Sequence, residues 1–144
     1  MVIPLLIFFI NFLAAYYFVY PKSKASNNYY QYGVYESAKY IAAVEDNYDR
    51  IYFTSRANQP FIYLLFATHY DPALFTRDPE KIINYSYFGR VYRFGKYLFL
   101  PPEEMPLSGP RALYVTRGDY HLPEKRIIHT IVDPGGRRRF LVWE

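Results

Sequence analysis

The sequence predicts an α/β protein: one N-terminal transmembrane helix, then a small mixed-sheet α/β domain that ends in a C-terminal β-hairpin. Three observations carry that reading. Every charged side chain lies at or beyond Lys22, which leaves an uninterrupted apolar start. Beyond it, segments with helical apolar periodicity alternate with short β-branched and aromatic runs. Near the end, Asp133-Pro134-Gly135-Gly136 separates two such runs, as a turn between paired strands does.

Residues 1–20 contain only Pro4 and Asn11 outside the apolar set. A helix of that length is about 30 Å long, the thickness of a bilayer's hydrocarbon core. Tyr16, Tyr17, Phe18 and Tyr20 gather at its far end, where aromatic rings favour the headgroup region, and Pro21, Lys22 and Lys24 stop it. A cleaved signal peptide would need a basic start and a small-residue cleavage site. Here no Lys or Arg precedes Lys22, and bulky residues follow Ala14-Ala15. A retained helix over 1–21 is therefore expected, with a polar linker over 22–28 and the domain over 29–144. Lys22 and Lys24 alone favour a cytoplasmic domain, but long domains can translocate regardless of such charges.

In the domain, Tyr32, Tyr35, Ala38, Ile41 and Ala42 recur with helical spacing, with Asn27 or Asn28 as a cap and Glu36–Lys39 as an exposed pair. Arg50 to Ser55 reads as a buried strand. Asn58 and Pro60 open a second helix, whose stretch from Pro60 to Ala67 has no strongly polar side chain. Phe61, Leu64 and Leu65 form one stripe of it, suited to a sheet beneath. Ile62, Tyr63 and Phe66 form another, so Phe61, Ile62, Tyr63, Phe66 and Tyr70 are the candidate docking or acceptor-side surface. Asp71-Pro72 and Asp78-Pro79 each offer an Asp cap before a proline-led helical turn. Tyr85 to Leu100 reads as two strands joined near Gly95, with Gly89 a further interruption. Pro101 to Pro110, with four prolines, reads as an irregular surface loop. Arg111 to Arg117 is a second short core strand, and Arg126 to Val132 with Arg137 to Trp143 make the hairpin.

Composition narrows the chemistry. The 144 residues include no cysteine, which excludes a disulfide scaffold, a thiolate zinc site and a cysteine nucleophile. A net charge of +4 with no reading motif gives no reason to expect nucleic acid as a partner. His69, His121 and His129 are isolated from one another and from any H-E-x-x-H spacing. Neither G-x-S-x-G nor a phosphate-binding G-x-x-x-x-G-K-[ST] occurs. Asp46 and Asp49 beside a loop are weak cation ligands without an oxygen-rich loop around them. Arg137-Arg138-Arg139, the only basic run, reads as a charged edge strand or as a contact for anionic lipid. The 18 Tyr, 12 Phe and one Trp invite a sugar-stacking reading, yet most fall at core-like spacings.

Several strings then stand in a familiar order. They are Asn28-Tyr29-Tyr30-Gln31-Tyr32-Gly33 with Glu36, Ala38, Tyr40 and Ile41; Tyr48-Asp49-Arg50-Ile51-Tyr52-Phe53-Thr54; Gln59-Pro60-Phe61-Ile62-Tyr63; Leu65-Phe66; Tyr70-Asp71-Pro72; and Arg93-Phe94-Gly95-Lys96-Tyr97. This order resembles the C-terminal extracytoplasmic domain of bacterial and archaeal protein-mannosyltransferase-type enzymes of the GT-C group, over roughly residues 1–132. Met1 to Tyr20 would match the last membrane helix before that domain. The resemblance implies a parent glycosyltransferase that takes sugar from a polyprenyl-phosphate carrier, with a divalent metal, at the cell membrane, and a domain on the extracytoplasmic side. It implies as partners the membrane, the remaining transmembrane part of the enzyme, and a glycan or protein acceptor. Family catalysis depends on an acidic residue between early membrane helices that this chain lacks. No residue here inherits the catalytic role, no cofactor is expected in this chain, and a fragment or split subunit is the expected status. The arginine-rich strand and the proline-rich loop depart from the family pattern. A free-standing, membrane-anchored module binding glycan or envelope polymer is the alternative.

Overall fold

A computed structural model describes residues 2–79, 81–84, 90–106, 108–121 and 126–144. The apolar start is helical throughout: α1 spans Val2–Ala14, continues through a π-helical turn over Ala15–Val19 and tightens to a 3₁₀ turn over Tyr20–Lys22. Ile3–Lys22, 20 residues, is long and apolar enough to cross a membrane, and none of it is buried. The one polar side chain of α1 is satisfied locally, because the Asn11 amide donates to the Ile7 carbonyl at 2.9 Å. Phe12, Tyr16 and Tyr20 stack along one face at successive turns.

The expected linker is itself helical. Ser23 caps α2 (Lys24–Tyr29) by accepting from the Ser26 amide at 3.1 Å, and the chain turns again before α3 (Val34–Val44). The cap of α3 is therefore Gly33, not Asn27 or Asn28. Its φ of 97° suits glycine, and its amide donates to the Glu36 carboxylate at 3.0 Å. Strand β1 (Arg50–Thr54) follows, then α4 (Pro60–Ala67) and α5 (Pro72–Arg77). Asp71 caps α5 through the Ala73 amide at 2.7 Å, as its Asp-Pro pair predicts. Asp78-Pro79 starts no helix. Asp78 accepts instead from the Gly95 amide at 2.7 Å, because Gly95 (φ 48°) turns β3 (Arg90–Phe94) into β4 (Tyr97–Leu100). A short β2 (Ile82–Asn84), which the sequence did not suggest, pairs with β3. Tyr85 and Gly89 lie outside the described residues.

The mixed sheet has seven strands in the order β2-β3-β4-β1-β5-β7-β6. β1 sits at its centre, parallel to β4 on one side and to β5 (Ala112–Arg117) on the other. β7 (Arg138–Trp143) pairs antiparallel with β5 and with β6 (Ile127–Val132), completing the terminal hairpin. β6 is thus the edge, and the arginine run enters an interior strand.

Alternation along the central strands makes two apolar faces. Ile51, Phe53, Tyr97, Phe99, Leu113, Val115, Phe140 and Val142 meet the buried Ala38, Ile41 and Leu64 of the helices. The opposite face presents Tyr52, Tyr114, Leu141 and Trp143, packed with Met105. Tyr52 stacks on Tyr114 at 5.1 Å and Tyr114 on Trp143 at 4.1 Å, a ladder set by their direct pairing across strands. Each such ring pair contributes about 1 kcal/mol beyond area burial. The loop between β4 and β5 is therefore more than surface. It buries Pro102 and Met105, and Met105 packs on the second face.

Candidate functional site

The strand order dictates where a cleft forms. β1 leaves its carboxyl end toward α4 on the helical face, whereas β4 leaves toward the proline-rich loop on the other face. Diverging connections from neighbouring parallel strands open a crevice between them. A cleft of about 710 Å³ lies at that point, lined by Ser55, Arg56, Asn58, Gln59, Arg90, Tyr92 and Glu104, with apolar walls from Pro60, Phe61, Phe99 and Leu100. That volume suits a small-molecule or glycan-unit ligand.

Local bonds fix its floor. The Ser55 amide donates to the Leu100 carbonyl at 2.9 Å, tying the ends of β1 and β4 together. The Thr54 hydroxyl accepts from the Arg56 amide at 3.3 Å, and the Asn58 amide donates to the Gln31 side chain at 3.0 Å. Gln59 adopts a left-handed φ of 48° to aim the first turn of α4. At the rim, Arg56 reaches Glu103 at 2.6 Å, an exposed pair of small energetic weight. The lining offers recognition: guanidinium groups of Arg56 and Arg90, amides, a carboxylate and an aromatic ring. Among the described residues, no three His, Asp or Glu side chains come together as metal ligands.

The cleft opens at the end of the sheet where the apolar helix joins. There the arginine run turns inward. Asp133, whose side chain is fully buried, accepts from the Gly135 and Arg137 amides at 2.8 and 3.1 Å and pairs with the Arg137 guanidinium at 2.9 Å. Arg137 also donates to the Lys22 carbonyl at 2.6 Å. Arg139 donates to the Asn27 carbonyl, the Asn28 side chain and the Tyr32 carbonyl. Only Arg138 of the three is exposed. Burial pushes the Asp133 carboxyl up, but the Arg137 and Gly135 hydrogen bonds outweigh it and hold it below the usual carboxylate range. At the other end of β4, burial raises the Tyr97 hydroxyl, and its hydrogen bond to Glu45 raises it further, so it stays a donor there. Lys96 donates to the Glu45 carbonyl at 2.7 Å, so this group locks α3 to β4.

The five candidate surface residues do not share a face. Ile62 and Phe66 point outward, and Phe66 meets Tyr35 at 5.9 Å. Tyr63 is half-buried against the core. Phe61 stacks on Phe75 at 6.4 Å and forms part of the cleft wall. Tyr70 packs edge-on against Phe94 at 5.2 Å, with its hydroxyl over Gly95. The Asp49 carboxylate is held by Arg111 at 3.5 Å, and Arg111 also donates to the Asp46 backbone carbonyl, so Arg111 fastens the turn before β1. His129 stacks on Tyr40 at 4.2 Å. The sequence reading missed the cleft itself. Its one signal was the polar stretch Ser55 to Gln59 between an apolar strand and a proline-led helix. No family model matches the chain, and no curated protein or solved structure shows significant similarity to it.

Proposed function

We propose that this chain is the membrane-tethered, extracytoplasmic accessory domain of a glycosyltransferase that takes sugar from a polyprenyl-phosphate carrier, with catalysis residing in the parent enzyme's other helices. The observation that carries this reading is the shared location of two features: the polar and aromatic cleft and the exit of the apolar helix lie at the same end of the sheet. A ligand presented at a bilayer surface would meet the guanidinium groups of Arg56 and Arg90 and the ring of Tyr92. The motif order described above supplies the enzyme class, and α1 supplies the anchor in the cell membrane.

The test is sugar transfer in membranes that contain the chain together with a multi-helix glycosyltransferase encoded beside it. Arg56→Ala with Arg90→Ala should cut transfer at least about tenfold while the protein remains membrane-bound. Unchanged transfer after deletion of the whole chain overturns the reading. Sidedness is tested separately with a cysteine at the exposed Lys24, in a chain that has no other thiol. A membrane-impermeant thiol reagent should label it in intact cells, and labelling only after lysis places the domain inside. The lining of Tyr92, Asn58 and Glu104 also suits direct glycan binding by a free-standing anchored module. Saccharide affinity of the purified chain without any effect on transfer would select that alternative.

A further inference from the structure

The short helix α2 carries an unexplained pair of rings. Tyr29 is 81% exposed and Tyr30 65%, adjacent large rings left to the surroundings of the domain. Their position is set from both sides. Asn27, itself buried, donates from its side chain to the Pro21 carbonyl at 3.1 Å, and Arg139 grips the Asn27 carbonyl and the Asn28 side chain. The chain therefore doubles back after Lys22 instead of leading away from the apolar helix. The bond from Asn27 to Pro21, with Ser23 capping the turn between them, thereby returns α2 to the foot of the apolar helix, where Tyr20 is its last ring. Tyr29 meets Tyr30 edge-on at 5.2 Å, and Tyr16 meets Tyr17 likewise at 5.2 Å. Two segments separated in sequence thus bring exposed tyrosines to the foot of the apolar helix, Tyr16, Tyr17 and Tyr20 from its last turns and Tyr29 and Tyr30 from α2, with the exposed Lys22 and Lys24 between them in the chain.

We propose that Tyr29 and Tyr30 join Tyr16, Tyr17 and Tyr20 in an aromatic belt that seats α2 in the lipid headgroup layer of the bilayer that α1 crosses. A phenol has an apolar body and a polar tip, which matches that layer and neither water nor hydrocarbon. The two lysines suit anionic headgroups at the same depth. The partner is the lipid surface, because the belt is continuous with a helix whose own rings already mark the boundary. Its consequence is that the domain is held at a fixed tilt, with the cleft end toward the bilayer. The proposal rests on the reading that α1 lies in the membrane.

The test uses the full chain in vesicles of phosphatidylcholine and phosphatidylglycerol brominated either near the top or near the middle of the acyl chain. Three added tryptophans are compared: Phe9→Trp, Tyr29→Trp and Asp49→Trp, the last exposed at the opposite end of β1. The buried Trp143 gives a common baseline. Phe9→Trp should be quenched most by the deep bromine. Tyr29→Trp should lose roughly half its emission to the shallow bromine, and Asp49→Trp should lose none. Quenching at Phe9→Trp with none at Tyr29→Trp overturns the belt alone. Equal quenching at Tyr29→Trp and Asp49→Trp overturns the tilt. Absence of quenching at Phe9→Trp overturns the membrane reading beneath both.

Discussion

Asp133 and Arg137, four residues apart across the hairpin turn, form an ion pair at 2.9 Å whose guanidinium also holds the Lys22 carbonyl where the apolar helix ends. One buried carboxylate therefore organises both the turn and the junction with the helix. Asp133→Ala removes the side-chain acceptor of two backbone amides, Gly135 and Arg137, and leaves the Arg137 guanidinium without its counter-charge. It should cost about 3 kcal/mol in denaturant unfolding of the detergent-solubilised chain. A loss below about 1 kcal/mol contradicts the assigned role.

The same carboxylate sets an acid limit. Its folded pKa lies below the ordinary carboxylate value, so the folded state binds the proton less readily than the unfolded state. The stabilisation is fully present above the unfolded value and is lost as pH falls through the folded one. Unfolding midpoints of the wild type should thus fall more steeply below about pH 4 than those of Asp133→Asn. Parallel curves would show that Asp133 is not the group responsible.

Gly118 should not tolerate a side chain. A Cβ there would stand 2.4 Å from the Arg138 carbonyl oxygen, and its amide already donates to the Arg139 carbonyl at 2.8 Å. The β5–β7 pair must move to admit a methyl group, so Gly118→Ala should cost about 2 kcal/mol or more by thermal melting.

Tyr114 should behave in the opposite sense. Its ring is central to the ladder, yet its buried hydroxyl has no hydrogen-bond partner among the described residues. Tyr114→Phe keeps the stack and removes an uncompensated polar group. Stability should stay level or rise by about 1 kcal/mol, and a drop larger than that would reveal a partner.

On α4, two neighbours should separate by burial. Leu64 is 0% exposed and Phe66 67%. Leu64→Ala should cost about 3 kcal/mol, whereas Phe66→Asp should change stability by less than about 1 kcal/mol while weakening any association across that face. Comparable losses at both positions would mean that Phe66 is part of the core.

Much of the scaffold was legible because its signals are local. The apolar start, the strands at Ile51 to Phe53 and Leu113 to Val115, Pro60 at a helix start and the Asp133 turn each declare themselves within a few residues. Other features depended on distant partners. The role of Asp78 is set by Gly95, which periodicity cannot show. Arg137 and Arg139 looked like edge charges until their bonds to residues 22–32 were visible. The cleft was hidden for the same reason, since it arises from the divergence of β1 and β4, whose neighbourhood only the strand order reveals. Tyr70 looked available for a partner because nothing in its own segment tells of Phe94 beneath it.

The central place of β1 also imposes an order on biogenesis. Ile51, Tyr52 and Phe53 emerge from the ribosome well before either flanking strand, since their partners are Tyr97 to Phe99 on one side and Leu113 to Val115 on the other. A ribosome adding about 10 residues per second leaves that apolar strand unpaired for about 5 s, with both hydrogen-bonding edges open. The nascent chain cannot complete its sheet by local zippering, and its pairings are of the long-range kind that form slowly. Through that interval α3 and α4, which pack on each other and contribute Ile41 and Leu64 to the core that holds Phe53, are the elements able to shield one side of β1, and their early docking would set the competition between folding and misassociation.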